Sequence, residues 1–131
     1  MRRSSFAGNG DKLKLFGPHY PPFPEAHKML IVFTTAPDTK EAEKLAEAIV
    51  IQKLAACVQV LPKMTSFYSW KGAIEKDTEH LLLIKTDESK YAELEEWLLQ
   101  NHSYEEPEIV AVQASEVSDG YRKWLTDYLG E

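Results

Sequence analysis

Cysteine is nearly absent from this 131-residue chain, with Cys57 the single instance. One cysteine excludes an internal disulfide, a CxxC pair and a zinc-finger spacing. It fits a reducing compartment, and a cytoplasmic location is the expectation. Long apolar runs are missing too. The longest clean ones, Leu30 to Phe33, Leu81 to Ile84 and Ile109 to Val112, fall far short of the roughly 20 residues that cross a bilayer, so no membrane partner is expected. After residue 28, glycine occurs only at positions 72, 120 and 130, which leaves no glycine-rich loop to cradle phosphates. Excess positive charge is lacking as well, since the net charge is −6. Residues 1–28 hold five basic side chains (Arg2, Arg3, Lys12, Lys14, Lys28) against Asp11 and Glu25, so the remainder carries −9. A domain that acidic repels a phosphate backbone, and no nucleic-acid partner is expected. No acid/base pair, triad or cofactor loop is visible, and the chain reads as a non-enzyme.

What is present suits one globular domain: 44% hydrophobic and 27% charged residues. Residues 1–28 stand apart. They combine Gly8, Gly10 and Gly17 with Pro18, Pro21, Pro22 and Pro24, without helical or alternating period, and read as a disordered leader or an expression-derived arm. The domain is expected over 29–131. Met29 to Thr35 is a β-branched strand stopped by Pro37. Asp38 and Glu41 form a capping-box pair that opens a helix, with Ala42, Leu45, Ala46 and Ile49 on its apolar face. Ala55 to Trp70 reads as a long strand broken near Pro62. Lys71-Gly72 is a tight turn, and Ile74 to Thr86 returns as a second long strand. A helix over Asp87 to Asn101 follows, with Tyr91, Leu94 and Leu98 on one face. Then come a strand over Glu108 to Ala114 and a short helix capped by Ser118 or Asp119.

The order β-α-β-β-α-β plus a terminal helix predicts an α+β, ferredoxin-like sandwich with an extended hairpin between its second and third strands. Such a sheet carries helices on one face, and the wet face should alternate apolar with polar. The Leu30, Leu81 and Ile109 runs are apolar at consecutive positions instead, so both faces call for cover. An oligomer that packs sheet against neighbour is expected, in preference to the terminal helix covering that face alone.

Several segments resemble the CutA divalent-cation-tolerance family: Val32 to Asp38, Lys53 to Val58, Thr65 to Glu75, Ile84 to Thr86, His102 to Ile109 and Tyr121 to Leu125. The resemblance runs in order through 29–131 and omits the first 28 residues. It implies a tight homotrimer and a role in tolerance or response to divalent metals, with copper the ion most often linked to bacterial members. It implies no obligatory cofactor, Cu(II) or another divalent cation being the ligand. The chain departs from the pattern where some members carry a further cysteine (here Thr34), a second histidine (Asn101) and a proline (Ser103).

The candidate metal contacts are His102, beside Glu105, Glu106 and Glu108, and Cys57, soft enough for Cu(I), Zn(II) or Hg(II). The structural alternatives are a histidine that caps the preceding helix and a thiol packed as a small hydrophobe. Tyr68, Trp70, Tyr104 and Trp124, with Lys85 and Glu108, are the candidates for an inter-subunit cleft. Interface packing is their plainer reading. Glu75, Asp77 and Glu79 share one strand face. The competing functions are a PII-like trimeric module that binds a small ligand between subunits, and a structural trimeric scaffold.

Overall fold

The computed structural model describes residues 28–130. The predicted leader therefore lies almost wholly outside the described residues. The elements run β1 (Met29–Ala36), α1 (Thr39–Ile51), β2 (Cys57–Val60), β3 (Met64–Trp70), β4 (Ala73–Asp87), a 3₁₀ turn (Glu88–Lys90), α2 (Tyr91–Asn101), β5 (Val110–Gln113) and α3 (Asp119–Gly130). The order is the predicted β-α-β-β-α-β with a terminal helix, except that the second predicted strand is divided into β2 and β3. The antiparallel sheet reads β2-β4-β1-β5, and β3 pairs with the first half of β4.

Pro62 explains the division of the predicted long strand into β2 and β3. Proline has no N–H to give to a ladder, so the last backbone bond before the break is from the Leu61 N–H to the Leu81 carbonyl, and pairing resumes at Met64. Beyond it, β3 and the start of β4 form a two-stranded ribbon closed by Lys71 and Gly72. Both have positive φ, 49° and 86°, the backbone that a two-residue hairpin turn requires.

The caps differ from prediction in two places. Asp38 accepts the Glu41 N–H at 2.8 Å, as expected. The Glu41 carboxylate does not return to Asp38; it takes the Ser103 N–H at 3.1 Å and the Ser103 hydroxyl at 2.7 Å, tying α1 to the loop after α2. Asp87 does not open an α-helix. It ends β4 and caps the 3₁₀ turn, accepting both the N–H and the hydroxyl of Ser89. The predicted last strand is shorter than its apolar run, and Ser118 accepts the Tyr121 N–H to cap α3.

Cross-strand partners share a sheet face, and this assigns every strand residue to one of two sides. The row Val58–Ile84–Val32–Ala111 and the row Val60–Leu82–Thr34 lie under α1 and α2. Val32, Leu82, Ile84, Ile49, Leu94 and Leu98 are fully buried there and form the main core. Each such side chain contributes about 1.5–3 kcal/mol by leaving water. The opposite face carries the rows Cys57–Lys85–Ile31–Val112 and Gln59–Leu83–Phe33–Val110, with Leu81 beside Thr35. Helix α3 covers one end of it, where Leu125 and Leu129 bury Met29 and Ala56 and touch Ile31. The cover stops there. Phe33, Leu81 and Leu83 are only half-buried, and Val110 and Val112 are 51% and 46% exposed. The terminal helix does not close the face by itself.

Candidate functional site

Two separate groupings of polar side chains arise at opposite ends of β1. The first surrounds Thr35. Here β1 ends against the foot of the ribbon, and the loop after α2 folds across both. Glu79, on β4, is only 8% exposed. Its Oε2 accepts the Thr35 hydroxyl at 3.1 Å and the Tyr104 hydroxyl at 2.7 Å. The Thr35 carbonyl in turn accepts Nε2–H of His102 at 2.7 Å. The Tyr104 N–H donates to Nδ1 of the same ring at 3.0 Å. These partners fix the tautomer: a backbone N–H can only donate, so Nδ1 is bare, and a carbonyl can only accept, so Nε2 holds the proton. The His102 side chain is fully buried, with Glu41 Oε2 3.8 Å from Nδ1 and the Tyr104 ring centroid 4.8 Å away. Neither nitrogen has a lone pair left for a metal ion. The main-chain N–H of His102 does cap α2, on the Leu98 carbonyl. The ring itself reaches across to β1, a role outside both sequence readings.

Above this network lies a cleft of about 670 Å³. Its walls include Tyr68, Trp70 and Phe67 from the ribbon and the stretch from Tyr104 to Glu108 from the loop, with Glu79 and Thr35 also lining it. Strand alternation explains the ribbon side: Glu75, Asp77 and Glu79 share a face with Tyr68 and Ser66, as their pairing shows. Tyr68 donates its hydroxyl to Asp77. That bond, with desolvation and the charges of Asp77, Glu75 and Glu79, pushes the Tyr68 phenol up to about 12. Burial first, and then the bond to Glu79, pushes the Tyr104 phenol well above its ordinary value. Both phenols stay protonated donors at neutral pH.

The second grouping surrounds Cys57, which is half-buried at the start of β2. Its cross-strand partner is Lys85, whose Nζ lies 5.7 Å from the Tyr121 ring centroid. Trp124 stacks at a tilt on Tyr121, with centroids 5.4 Å apart. Burial, then the charge and hydrogen bonding of Cys57, push the Tyr121 phenol up to about 12. The thiol is therefore in contact with a phenol.

Of the sequence-predicted cleft set, the structure brings Tyr68, Trp70, Tyr104 and Glu108 together. Lys85 and Trp124 belong to the Cys57 grouping instead. His102 and Cys57 are not brought together within one chain. Cys57 aligns with Ile31 and His102 with Thr35, four residues along β1, or about 13 Å of strand. Among the described residues, no group of three or more His, Cys, Asp or Glu side chains is placed to hold a metal ion. The metal contacts inferred from sequence do not form a closed site in a single chain. Thr35 and Tyr121 are the residues that sequence reasoning missed, and Glu79 was read only as one of three carboxylates on a strand face, not as the buried acceptor for Thr35 and Tyr104. The available signal for Glu79 was its place at the end of the alternating Glu75, Asp77, Glu79 set, where the polar half of the strand meets the apolar run Leu81 to Ile84. Among the described residues no helix is long and apolar enough to cross a membrane.

The comparisons with known proteins point one way. The family model described as "CutA1 divalent ion tolerance protein" matches residues 30–128. "Protein CutA, chloroplastic" from Arabidopsis thaliana is 42% identical over 96 residues, covering 73% of this chain and 53% of that protein. "Divalent-cation tolerance protein CutA" from Thermus thermophilus is 39% identical over 100 residues, covering 76% of this chain and 97% of that protein. The crystal structure of CutA1 from Oryza sativa superposes with a TM-score of 0.75 at 37% identity, covering 77% of this chain and 93% of that one. The chain spans about half to two-thirds of the length of the plant and animal relatives it matches.

Proposed function

Because this chain belongs to the CutA1 divalent ion tolerance protein family, we propose that it acts in tolerance to divalent cations, copper-type ions foremost, as a homotrimer whose ion contacts form between chains. The uncovered sheet face carries this reading. Phe33, Leu81, Leu83, Val110 and Val112 form an apolar surface that α3 leaves open, and the protruding ribbon adds Phe67 and Ile74, 67% and 75% exposed, on its other face. Contiguous apolar surface of this kind marks an interface. The count of three is the one the family resemblance implies.

The ion contacts follow from the same geometry. Among the described residues a single chain assembles no closed ligand set, and His102 is committed to its hydrogen bonds. Cys57 is the soft donor with surface exposure, and ligands from a neighbouring chain complete the set. The single thiol suits a reducing compartment, cytoplasmic or organellar.

Calorimetry with Cu(II) and Zn(II) tests the reading on two proteins: the native assembly and a variant with Val110→Glu and Val112→Glu, which places charge on the open face. Saturable binding by the assembly, lost in the dissociated variant and weakened by Cys57→Ser, is the expected outcome. No binding of either ion by the assembly at micromolar concentration overturns it in favour of a purely structural trimer. Equal binding by the dissociated variant overturns the sharing of ligands between chains.

A further inference from the structure

We propose that the groove between α1 and α2 binds a small organic carboxylate with an apolar body, held by Lys40, Lys44 and the Trp97 indole. The inference goes beyond the metal reading and needs the residues of one chain alone.

Position comes first. Both helices lie on the side of the sheet opposite the open face, so a neighbour seated on that face does not reach their outer surface. There the two helices enclose a cleft of about 380 Å³. That volume is of the order that holds a small organic molecule. Leu45 and Ala48, three residues apart on α1, form its apolar side with Trp97 of α2. Leu45 is buried, and Trp97 is half-buried against the main core, so this side is fixed in place.

The inventory of donors and acceptors comes second. The two carboxylates that line the groove are occupied. Asp38 accepts the Glu41 N–H at 2.8 Å. One Glu41 oxygen accepts the Ser103 N–H at 3.1 Å and the other the Ser103 hydroxyl at 2.7 Å. The Asn101 amide donates to the Trp97 carbonyl at 2.9 Å. The cationic and indole donors are not occupied. Lys40 Nζ, Lys44 Nζ and Trp97 Nε1–H have no hydrogen-bond or ion-pair partner among the described residues. Lys40 and Lys44 stand four apart on one helix, where like charges repel unless an anion joins them. An indole N–H partly withdrawn from water ordinarily finds an acceptor.

Three unused donors beside an apolar wall select a ligand with acceptor oxygens, negative charge and hydrocarbon. A carboxylate has acceptor sites enough for more than one of these donors. The charges of Asp38 and Glu41 offset those of the two lysines, so the groove as a whole is formally neutral. Charge alone therefore does not hold an anion here, and the apolar body is required. Acetate or an inorganic anion gains too little to stay.

The test titrates the native assembly of the full chain with sodium 3-phenylpropanoate, with a chelator present. Proton–nitrogen NMR follows the indole N–H signals. The chain has three tryptophans, so Trp70 on the ribbon and Trp124 on α3 serve as internal references. A saturable shift of the Trp97 signal alone is expected, with half-saturation at about 1 mM for a ligand of this size. The uncharged 3-phenylpropan-1-ol should bind at least about 3-fold more weakly, and acetate should leave the signal still. Lys40→Gln with Lys44→Gln, both at exposed positions that the core does not need, should weaken binding of the acid about 3–10-fold. It should leave binding of the alcohol unchanged. No saturable movement of the Trp97 signal up to about 20 mM acid overturns the proposal. So does equal binding of acid and alcohol, or binding of the acid that the double variant leaves intact, since either marks an apolar groove that does not recognise a carboxylate. Equal movement of all three indoles marks non-specific association and overturns it too. Because metals are chelated throughout, failure of the metal-tolerance reading leaves this outcome unaffected.

Discussion

Replacing Tyr104 by phenylalanine removes one oxygen and little else. The ring keeps its place beside His102, the backbone N–H still donates to Nδ1, and Glu79 keeps the Thr35 hydroxyl. What is lost is the 2.7 Å bond from the phenol to a carboxylate that is 8% exposed. Hydrogen bonds to charged groups contribute about 1.5–3 kcal/mol, and a buried acceptor left short of a donor makes the loss fall toward the upper part of that range. About 2 kcal/mol is the expected loss. Urea unfolding at one fixed protein concentration measures it as a lower midpoint with an unchanged slope. The double variant with Glu79→Gln should show coupling of about 1–2 kcal/mol between the two sites. A loss below about 0.5 kcal/mol, or additive single effects, would show that the phenol–carboxylate bond does not organise the cleft.

Two further outcomes follow from the same geometry. The phenols of Tyr68, Tyr91, Tyr104 and Tyr121 all lie above the ordinary value of 10.0 in the folded chain. The native state therefore holds these protons more tightly than the unfolded state, and stability should be flat up to about pH 9 and fall between about pH 10 and 12. Phenolate absorbance should show these groups titrating late in the native protein and near 10 in urea; coincident curves would contradict the assignment. His102→Ala leaves the Thr35 carbonyl and the Tyr104 N–H without partners, each costing about 1–3 kcal/mol. It should lower stability while leaving Cu(II) stoichiometry intact in calorimetry, the reverse of Cys57→Ser. Loss of copper binding without loss of stability would return His102 to the role of ligand.

The fold was legible because each strand and helix announced itself locally. The spacing of Ala42, Leu45 and Ile49, the turn at Lys71-Gly72 and the break at Pro62 each have a short-range cause, and the structure keeps all three. The two-sided apolar strands likewise foretold an open face. The site was legible only in part, because its bonds are long-range. His102 reads as a ligand in sequence, since imidazole beside three glutamates suits a cation. Only the fold brings it under Thr35, 67 positions away in the chain, and consumes both nitrogens. The aromatic cluster was read as one set, yet strand register sends Lys85 to Cys57 and Tyr68 to Glu75, at different ends of β4. Glu41 shows the same limit: a capping box at local range, it is captured by Ser103 once the helices pack.

Sedimentation equilibrium at low micromolar concentration addresses the open sheet face most directly. A single species at three times the chain's 14.9 kDa is predicted, converted to a one-chain species by Val110→Glu with Val112→Glu. A folded native protein that sediments at 14.9 kDa across the whole concentration range would mean the exposed face needs no neighbour, and the between-chain account of cation tolerance would be wrong.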